Sequence, residues 1–363
     1  MQEINFCHVV RILIGNKIMK KLITSLTICC GIFVAACNSG SGSSTSPSQA
    51  QQFANLVGNQ LALIKSNQLV PYQIAFTQES NQAFIIAATS QSASQNPRGT
   101  IYINPILYVY NGVGASWTSA SLKFPVESSF ISNIAVFGNN LYLATESYYD
   151  TPNEFSLNDS NLYQYNGSNL NVVNNPFNSE CHNSCSITSM VVSTNTLYVS
   201  GWNDSGTQIY SYNGESWNNI LDQPANQLSI TSLAVDKSGN LIASGYNGTI
   251  ESTAATPFLS QYSNGNWTPL PYANGGAIVA ANSNLYSMPL AAVTGINTYG
   301  INKLISSGWS QVATYSFPSS DCALVPTGLS LVSDTYGNLY SNMNATCAMG
   351  GYYPLTSLIY PNY

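Results

Sequence analysis

The stretch ITSMVVSTNTLYVSGWNDSGTQIYSYNGESWNNILDQP, residues 187–224, reads as four short strands in succession. Three apolar runs are separated by brief polar turns, the third run ends in Asn213-Gly214, and a fourth begins at Trp217. The same phrase returns along the chain, with second strands that start near Phe84, Leu141, Leu197, Leu241, Leu285 and Leu339. Four strands every 44 to 57 residues predict an all-β fold, a six-bladed β-propeller of four-stranded antiparallel blades.

The last repeat shows no fourth strand, while a spare apolar segment, residues 60–65 (QLALIK), precedes the first repeat. We expect this N-terminal segment to pair with residues 357–360 as a strand that completes the last blade, because closure removes two open sheet edges. Residues 53–64 also fit the spacing of an amphipathic helix, and the sequence leaves that alternative open.

The phrase Tyr-Asn-Gly-x-x-Trp, clearest at Tyr212 to Trp217, resembles the repeats of kelch and galactose-oxidase-like propellers over residues 60–363, although the paired Gly-Gly of kelch repeats is missing. The resemblance implies a propeller frame, which carries enzymes, ligand binders and scaffolds alike. Asp236 and Asp334, each followed by x-x-Gly-Asn-Leu, are expected to fix tight turns through bonds from side chain to backbone. We expect the recurring Trp residues to pack between neighbouring blades.

The N-terminus has the order of a bacterial export signal. Met19-Lys20-Lys21 is followed by the apolar residues 22–33 and by Val34-Ala35-Ala36-Cys37, which resembles the lipobox of bacterial lipoproteins. This divides the chain into a signal peptide (1–36, with 1–18 a non-native extension), a lipidated Cys37 with a flexible Ser/Gly/Pro tether (37–52), and the propeller (53–363). The resemblance implies a lipid anchor in the bacterial cell envelope, with the outer membrane favoured by Asn38. A single transmembrane helix is the alternative, but the apolar run is shorter than the ~20 residues needed.

Composition excludes several functions. Only 7% of the residues are charged, and no basic stripe exists to neutralise nucleic-acid phosphates. His182 is the one histidine after residue 37, so a Ser-His-Asp triad or a copper site with several His ligands is disfavoured. We expect no cofactor.

Four cysteines remain after Cys37, and an even number outside the cytoplasm indicates disulfides. All four fall in links that a propeller gathers on one face, its top face, and we predict the pairs Cys181–Cys185 and Cys322–Cys347. A zinc site built from Cys181, His182 and Cys185 is the alternative, and we expect no metal there because the predicted surroundings are oxidising.

Acidic residues cluster in the connection between the second and third strands of blade two, namely Glu146, Asp150, Glu154 and Asp159. Two such carboxylates are able to hydrolyse a glycoside, and several are able to bind Ca²⁺, but a solvated acidic loop is preferred. Trp202 lies outside the repeated Trp position. Trp202, Tyr148 and Tyr149, with Glu146 and Asp150, are therefore the candidate ligand contacts at the top mouth.

These patterns predict an exported, lipid-anchored propeller that binds an envelope protein or a glycan through its top-face loops and performs no chemistry. Abundant Tyr, Asn and Ser with little charge favour such polar recognition surfaces. The alternative is a glycan hydrolase or lyase that uses top-face carboxylates.

Overall fold

The computed structural model describes residues 47–363 apart from 78–79, 93–99, 125–128, 152–153, 178–184, 225–226, 249–254, 289–297, 317–321, 325–329, 343, 348–351, 355–356 and 362–363. This part of the chain folds as a β-propeller with five four-stranded antiparallel blades, preceded by one α-helix. The first strand of each blade is innermost, and the first strands of successive blades contact one another around the ring.

The strand bounds follow the repeat. Blade one holds β1 (Val70–Phe76), β2 (Ala83–Ser92), β3 (Thr100–Tyr110) and β4 (Thr118–Ser121). Blade two holds β5 (Ser129–Phe137), β6 (Asn140–Thr151), β7 (Glu154–Tyr165) and β8 (Leu170–Val173). Blade three holds β9 (Ser186–Ser193), β10 (Thr196–Asn203), β11 (Gly206–Tyr212) and β12 (Trp217–Pro224).

Blade four holds β13 (Leu228–Val235), β14 (Leu241–Asn247), β15 (Thr256–Ser263) and β16 (Asn266–Pro269). Blade five holds β17 (Ala277–Ala281), β18 (Asn284–Met288), β19 (Thr298–Ile305) and β20 (Gly308–Ser316). The remaining strands are β21 (Cys322–Leu324), β22 (Ser330–Ser333), β23 (Leu339–Asn342), β24 (Asn344–Cys347), β25 (Tyr352–Pro354) and β26 (Ser357–Tyr360).

The prediction of six four-stranded blades closed by an N-terminal strand is wrong. After blade five the described residues form two three-stranded sheets, β22–β23–β26 and β21–β24–β25. The segment expected to be the closing strand lies instead inside helix α1 (Gln49–Ser66). The sheet β22–β23–β26, called the closing sheet below, stands between blades five and one, where β22 contacts both β17 and β1.

Helix α1 forms because its apolar residues recur at helical spacing. Phe53, Val57, Leu61 and Ile64 are all buried, and the Ser48 hydroxyl caps the helix by accepting from the Gln51 N–H at 3.2 Å. The buried side chains join one cluster with residues of blade one and with Tyr340 of the closing sheet. Helix α1 therefore lies where a fourth strand of the last blade was expected.

Polar side chains tie the innermost strands together. In blades one to four the first strand carries a one-residue bulge, and the residue after each bulge is polar: Gln73, Asn133, Ser189 and Ser232. Each bonds to the first-strand backbone of the next blade, as in Gln73 Nε2 to the Ser132 carbonyl at 2.7 Å and the Leu233 N–H to Ser189 Oγ at 3.0 Å. These bonds satisfy buried backbone groups that no sheet ladder reaches at the seams.

The seams between blades are apolar, and the repeated Trp residues of blades three, four and five pack there as predicted, whereas Trp117 of blade one packs beside helix α1. Trp267 of blade four packs in a cluster with residues of blade three, and its Nε1 donates to the Ile220 carbonyl at 3.1 Å. Trp309 of blade five likewise donates to the Tyr272 carbonyl, which precedes that blade.

The turn predictions are confirmed in part. Asp236 Oδ1 accepts from the Ser238 and Asn240 N–H groups at 2.8 and 2.9 Å, and Asp334 makes the same bonds in its own turn, as expected. The Asn-Gly turns were expected to be type I′, and only Asn264-Gly265 has positive φ at both residues (50° and 81°). In the corresponding turns of the first three blades the Gly has positive φ and the Asn does not.

Candidate functional site

One end of the propeller is built up by strands that run past the innermost strand. In blade one β1 pairs with β2 only as far as Ala88, and residues 89–92 continue with 100–103 as a free-standing hairpin. In blade two β6 pairs with β5 only as far as Ser147, and residues 148–151 continue with 154–157. Four residue pairs project by about 13 Å at 3.3 Å per residue.

The same end is raised at two more places. In blade five residues 298–300 pair with 314–316 beyond the end of β18, and beside them in the ring the sheet β21–β24–β25 extends from the closing sheet. In blades three and four the corresponding strands end level with the innermost strand, at Asn203 and Asn247. We call the raised strands of blades one, two and five, with β21–β24–β25, the crown; it runs along four neighbouring positions. Blade three, where only the turn 204–205 joins the second and third strands, is called the low sector.

The crown is rich in tyrosine. Its strands carry seven tyrosines, two acidic residues, Asp150 and Glu154, and no basic residue. The tyrosines are Tyr102, Tyr148, Tyr149, Tyr299, Tyr315, Tyr352 and Tyr353. Tyrosine offers a large rigid contact area with a polar tip at low conformational cost, so this composition suits recognition of a partner.

Three predicted contact residues lie in the crown. Tyr148, Tyr149 and Asp150 were assigned to a loop, but they are paired residues of β6, opposite Leu157, Ser156 and Phe155 of β7. Their segment is therefore the edge of a regular hairpin.

Glu146 lies at the base of this hairpin, at the seam with blade three. The Ser186 hydroxyl, on the first residue of β9, donates to Glu146 Oε1 at 2.6 Å. Burial raises the pKa of Glu146 to about 7, and the bond from Ser186 acts in the opposite direction. The carboxyl group thus titrates near neutral pH. No sequence pattern singles out Ser186, because its role depends on a contact between two blades.

Trp202 occupies a position that recurs. It lies opposite Ser186 across the β9–β10 pair, as Tyr246 lies opposite Ser229 and Glu146 opposite Phe130. The side chain of Trp202 is partly buried. The preceding residue in blades three and four is Gly, and a Cβ at Gly201 would lie 2.5 Å from the Ser186 carbonyl oxygen.

Glu146, Trp202 and Tyr246 are therefore equivalent residues at the inner rim of the crown end. Glu146 and Trp202 both neighbour Ser186 in the structure. Glu146 accepts a hydrogen bond from Ser186, and Trp202 lies opposite Ser186 in the β9–β10 pair. Tyr246 was missed in the sequence, although the phrase Gly245-Tyr246-Asn247 repeats Gly201-Trp202-Asn203.

The structure describes the strand register of one predicted cysteine pair and only one member of the other pair. Cys322 and Cys347 are directly opposite each other in the β21–β24 pair, which places their Cα atoms about 4.5–5.5 Å apart, within disulfide range. Cys185 is buried and disulfide-bonded. Cys181 and His182 lie outside the described residues, so both pairings and the zinc alternative stay predictions.

Cys37 and the signal segment lie outside the described residues as well. Within the described part of the chain, no helix has the length and apolar character to cross a membrane. The same part holds no group of three His, Cys, Asp or Glu residues arranged for a metal ion. The Ca²⁺ alternative needs side chains of the crown that the structure does not describe.

Comparison with solved structures shows the fold. The sialidase of Trypanosoma rangeli, as a covalent intermediate with 2,3-difluorosialic acid, matches with a TM-score of 0.52 at 13% identity, over 80% of this chain and 53% of that chain. YCF48 bound to a D1 peptide matches at 0.41 and 11% identity, over 79% and 81%. A PL25 ulvan lyase matches at 0.45 and 10% identity, over 82% and 80%.

At these identities the likeness shows a β-propeller and nothing finer, because one fold hosts many unrelated functions. A scan against protein-family models finds no match. A search of curated proteins finds none either.

Proposed function

We propose that this protein is a non-catalytic binding module that holds an envelope protein or a glycan against its crown. The observation that carries the proposal is the asymmetry of the propeller: strands are lengthened at one end only, along four neighbouring positions, and their added residues are rich in tyrosine. A ring needs no such strands for closure. Long hairpins with low charge beside the low sector form a walled surface that is open over blade three.

In this proposal the inner rim completes the surface. Trp202 is partly buried and belongs to the low sector, where a ligand held by the crown would lie across the mouth of the channel. Glu146 is placed where the wall of blade two meets that sector, and its uncharged form at mildly acid pH favours neutral hydrogen-bonding partners.

The anchor is part of the proposal. A lipid on Cys37 and the tether up to residue 52 would hold the propeller at the cell envelope, on the outer membrane. Incorporation of a labelled fatty acid into the wild-type protein, lost in Cys37→Ala, would support this. Equal labelling of both proteins would contradict it.

Capture from detergent-solubilised envelopes tests the binding role. The full chain is compared with the double variant Tyr148→Ser/Tyr149→Ser and with Val113→Ser, a control at an exposed residue in the turn between β3 and β4, at the end of the blade opposite the crown. One stoichiometric partner retained by wild type and Val113→Ser and lost by the crown variant is expected. Equal capture by all three proteins would remove the crown from the binding site.

One observation favours an enzyme as the second candidate. A partly buried glutamic acid with a pKa of about 7 is suited to give a proton to a glycosidic leaving group, as a hydrolase or lyase requires. Asp150 is the second carboxylate that this candidate needs. Turnover of a glycan panel by wild type that disappears in Glu146→Gln would establish the enzyme and would overturn the non-catalytic role.

A further inference from the structure

We infer that the end of the propeller opposite the crown, called the base below, docks on the lipid surface that holds the Cys37 anchor, so that the crown faces away from the membrane. The inference rests on the lipid anchor of the proposed function. The base consists of the turns that join first to second strands and third to fourth strands. Its docking part is the sector under blade five, the closing sheet and blade one.

Helix α1 begins at the base. Asn338, in the turn between β22 and β23, donates from its Nδ2 to the Ala50 carbonyl at 3.3 Å. The ring of Phe53 lies 5.7 Å from that of Tyr336 in the same turn and 6.1 Å from that of Tyr110 at the base end of β3. The helix then leads to β1, which begins at the crown end. The chain that comes from Cys37 therefore enters the propeller at its base.

The length of this chain limits the orientation. The 11 residues 38–48 separate Cys37 from the helix, and they span at most about 40 Å when fully extended. A Gly/Ser-rich chain of this length typically spans about 18 Å. Strand β6 has 12 residues and runs from the base to the top of the crown, a height of about 40 Å at 3.3 Å per residue. A crown that touched the membrane would stretch the connection to its limit, whereas the base reaches the lipid without stretching.

Exposed apolar side chains lie in the same sector. Five large apolar side chains are exposed among the described residues, and three of them are at the base under the blades that flank the closing sheet. Val113, which is 88% exposed, lies in the turn between β3 and β4 of blade one. Ile305 precedes the turn between β19 and β20 of blade five, and the Tyr272 hydroxyl donates to the Ser306 carbonyl of that turn at 3.5 Å. Aliphatic side chains gain by entering the acyl boundary of a bilayer, and tyrosine suits its interface with water.

The sector carries little charge. By sequence, the base turns of blade one, the closing sheet and blade five contain two charged residues, Glu79 and Asp334. Glu79 lies outside the described residues, and Asp334 is buried within its own turn. The base turns of blades three and four instead expose Glu215 and Lys237. Because desolvation of a charge is costly, the sector around the start of α1 is the part of the base suited to contact lipid.

Photoreactive lipids test the orientation. The lipidated protein is reconstituted into vesicles of phosphatidylethanolamine and phosphatidylglycerol that contain a phospholipid with a photoreactive acyl chain, and labelled peptides are mapped by mass spectrometry. We expect lipid adducts on residues 111–117 and 304–309 and none on the crown residues 148–157. Adducts on the crown, or on both ends equally, would overturn the inference.

Exposed residues supply matched variants. Val113→Ser/Ile305→Ser should reduce the lipid label on the base about 5-fold or more, because the apolar contact with the bilayer is lost. Val172→Ser, at an exposed residue of the outer strand β8, is the control and should be labelled as wild type is. All three proteins should sediment with the vesicles, since each keeps its acyl anchor. Equal labelling of the base in all three would contradict the docking.

The two proposals fail in different ways. Wild-type protein that does not sediment with the vesicles would contradict the anchor and the orientation together. Sedimentation with lipid adducts away from the base would leave the anchor standing and overturn the orientation alone. Capture by the crown is measured in detergent, where no bilayer is present, so Val113→Ser should leave that capture unchanged.

Discussion

Asn342 of β23 pairs with Ile74 of β1 as though it were a piece of strand. Its Oδ1 accepts from the Ile74 N–H at 2.9 Å, and its Nδ2 donates to the Ile74 carbonyl at 3.1 Å. Both backbone groups are buried, and these bonds join the closing sheet to blade one across 268 residues of chain. One side chain therefore supplies at the closure what the residues after the bulges supply at the other seams.

Replacing Asn342 by Leu should destabilise the protein by about 2–4 kcal/mol, because the buried N–H and carbonyl of Ile74 lose their partners together. Urea unfolding of wild type and variant measures the difference. Asn171→Leu, at an exposed residue of the outer strand β8, is the control and should change stability by no more than about 0.5 kcal/mol. Equal effects of the two changes would show that the closure does not depend on this pair.

The packing of helix α1 against blade one can be tested at two neighbouring residues. Ile64 is fully buried against blade one, whereas Leu63 is 53% exposed. Ile64→Ala should cost about 2–5 kcal/mol through lost burial and the cavity left behind. Leu63→Ala should cost less than about 1 kcal/mol. The comparison is made by thermal and urea unfolding. Leu61→Ala should cost about as much as Ile64→Ala because residues three apart share the buried face of a helix, whereas a strand would place them on opposite faces.

Stability should fall as the pH rises from 4.5 to 7 because of Glu146. Its pKa of about 7 in the folded protein lies above the ordinary value of 4.5, so the folded state holds the proton more tightly than the unfolded state does. The resulting stabilisation is fully present below pH 4.5 and is lost as the pH passes through 7. The loss amounts to about 3 kcal/mol at most.

Glu146→Gln removes the titrating group and should flatten this part of the stability profile. At pH 8 the variant should be the more stable protein, since it buries no charge. Ser186→Ala serves as the matched change, because it removes the bond that opposes the pKa shift and should move the transition to higher pH. A wild-type profile that is flat between pH 5 and 8 would be incompatible with a buried Glu146.

Cys322 and Cys347 should form a disulfide in the exported protein. Their register places them opposite each other, and the bond would fasten β21 to β24 within the crown. Peptide mass mapping without reduction should find the two residues cross-linked. Cys322→Ser and Cys347→Ser should lower the free energy of unfolding by equal amounts. The double variant should lower it at least as much as either single variant. Two free thiols in protein isolated from the envelope would show that the prediction is wrong.

The repeat predicted much of the fold, because its signals are local. Alternating apolar residues and Asn-Gly turns define strands one at a time, and Asp236 and Trp267 make the bonds or seam contacts expected of their places in the repeat. Closure of the ring is not local. The apolar pattern of residues 53–64 is compatible with a strand and with a helix. Packing against blade one and Tyr340, which are distant in the sequence, decides between the two.

The candidate site was predicted less completely for the same reason. Glu146 and Trp202 stood out as a carboxylate and an aromatic residue, but Ser186 joins them only after two blades pack side by side. The part of the crown in blade two was taken for a loop, because its clustered acidic residues favour a solvated loop. Gln60 was expected in the strand that closes the last blade, and the structure places it on helix α1.

Photo-crosslinking in intact cells tests the binding role of the crown most directly. A photoreactive residue is placed at Tyr102, Tyr149 or Tyr299 in the crown, and at Val113, Ser168 or Glu215 in exposed turns at the opposite end of the blades. We predict that the three crown positions yield one adduct of the same mass and that the three turns do not. Crosslinks that form equally from both ends, or from the turns alone, would contradict the account.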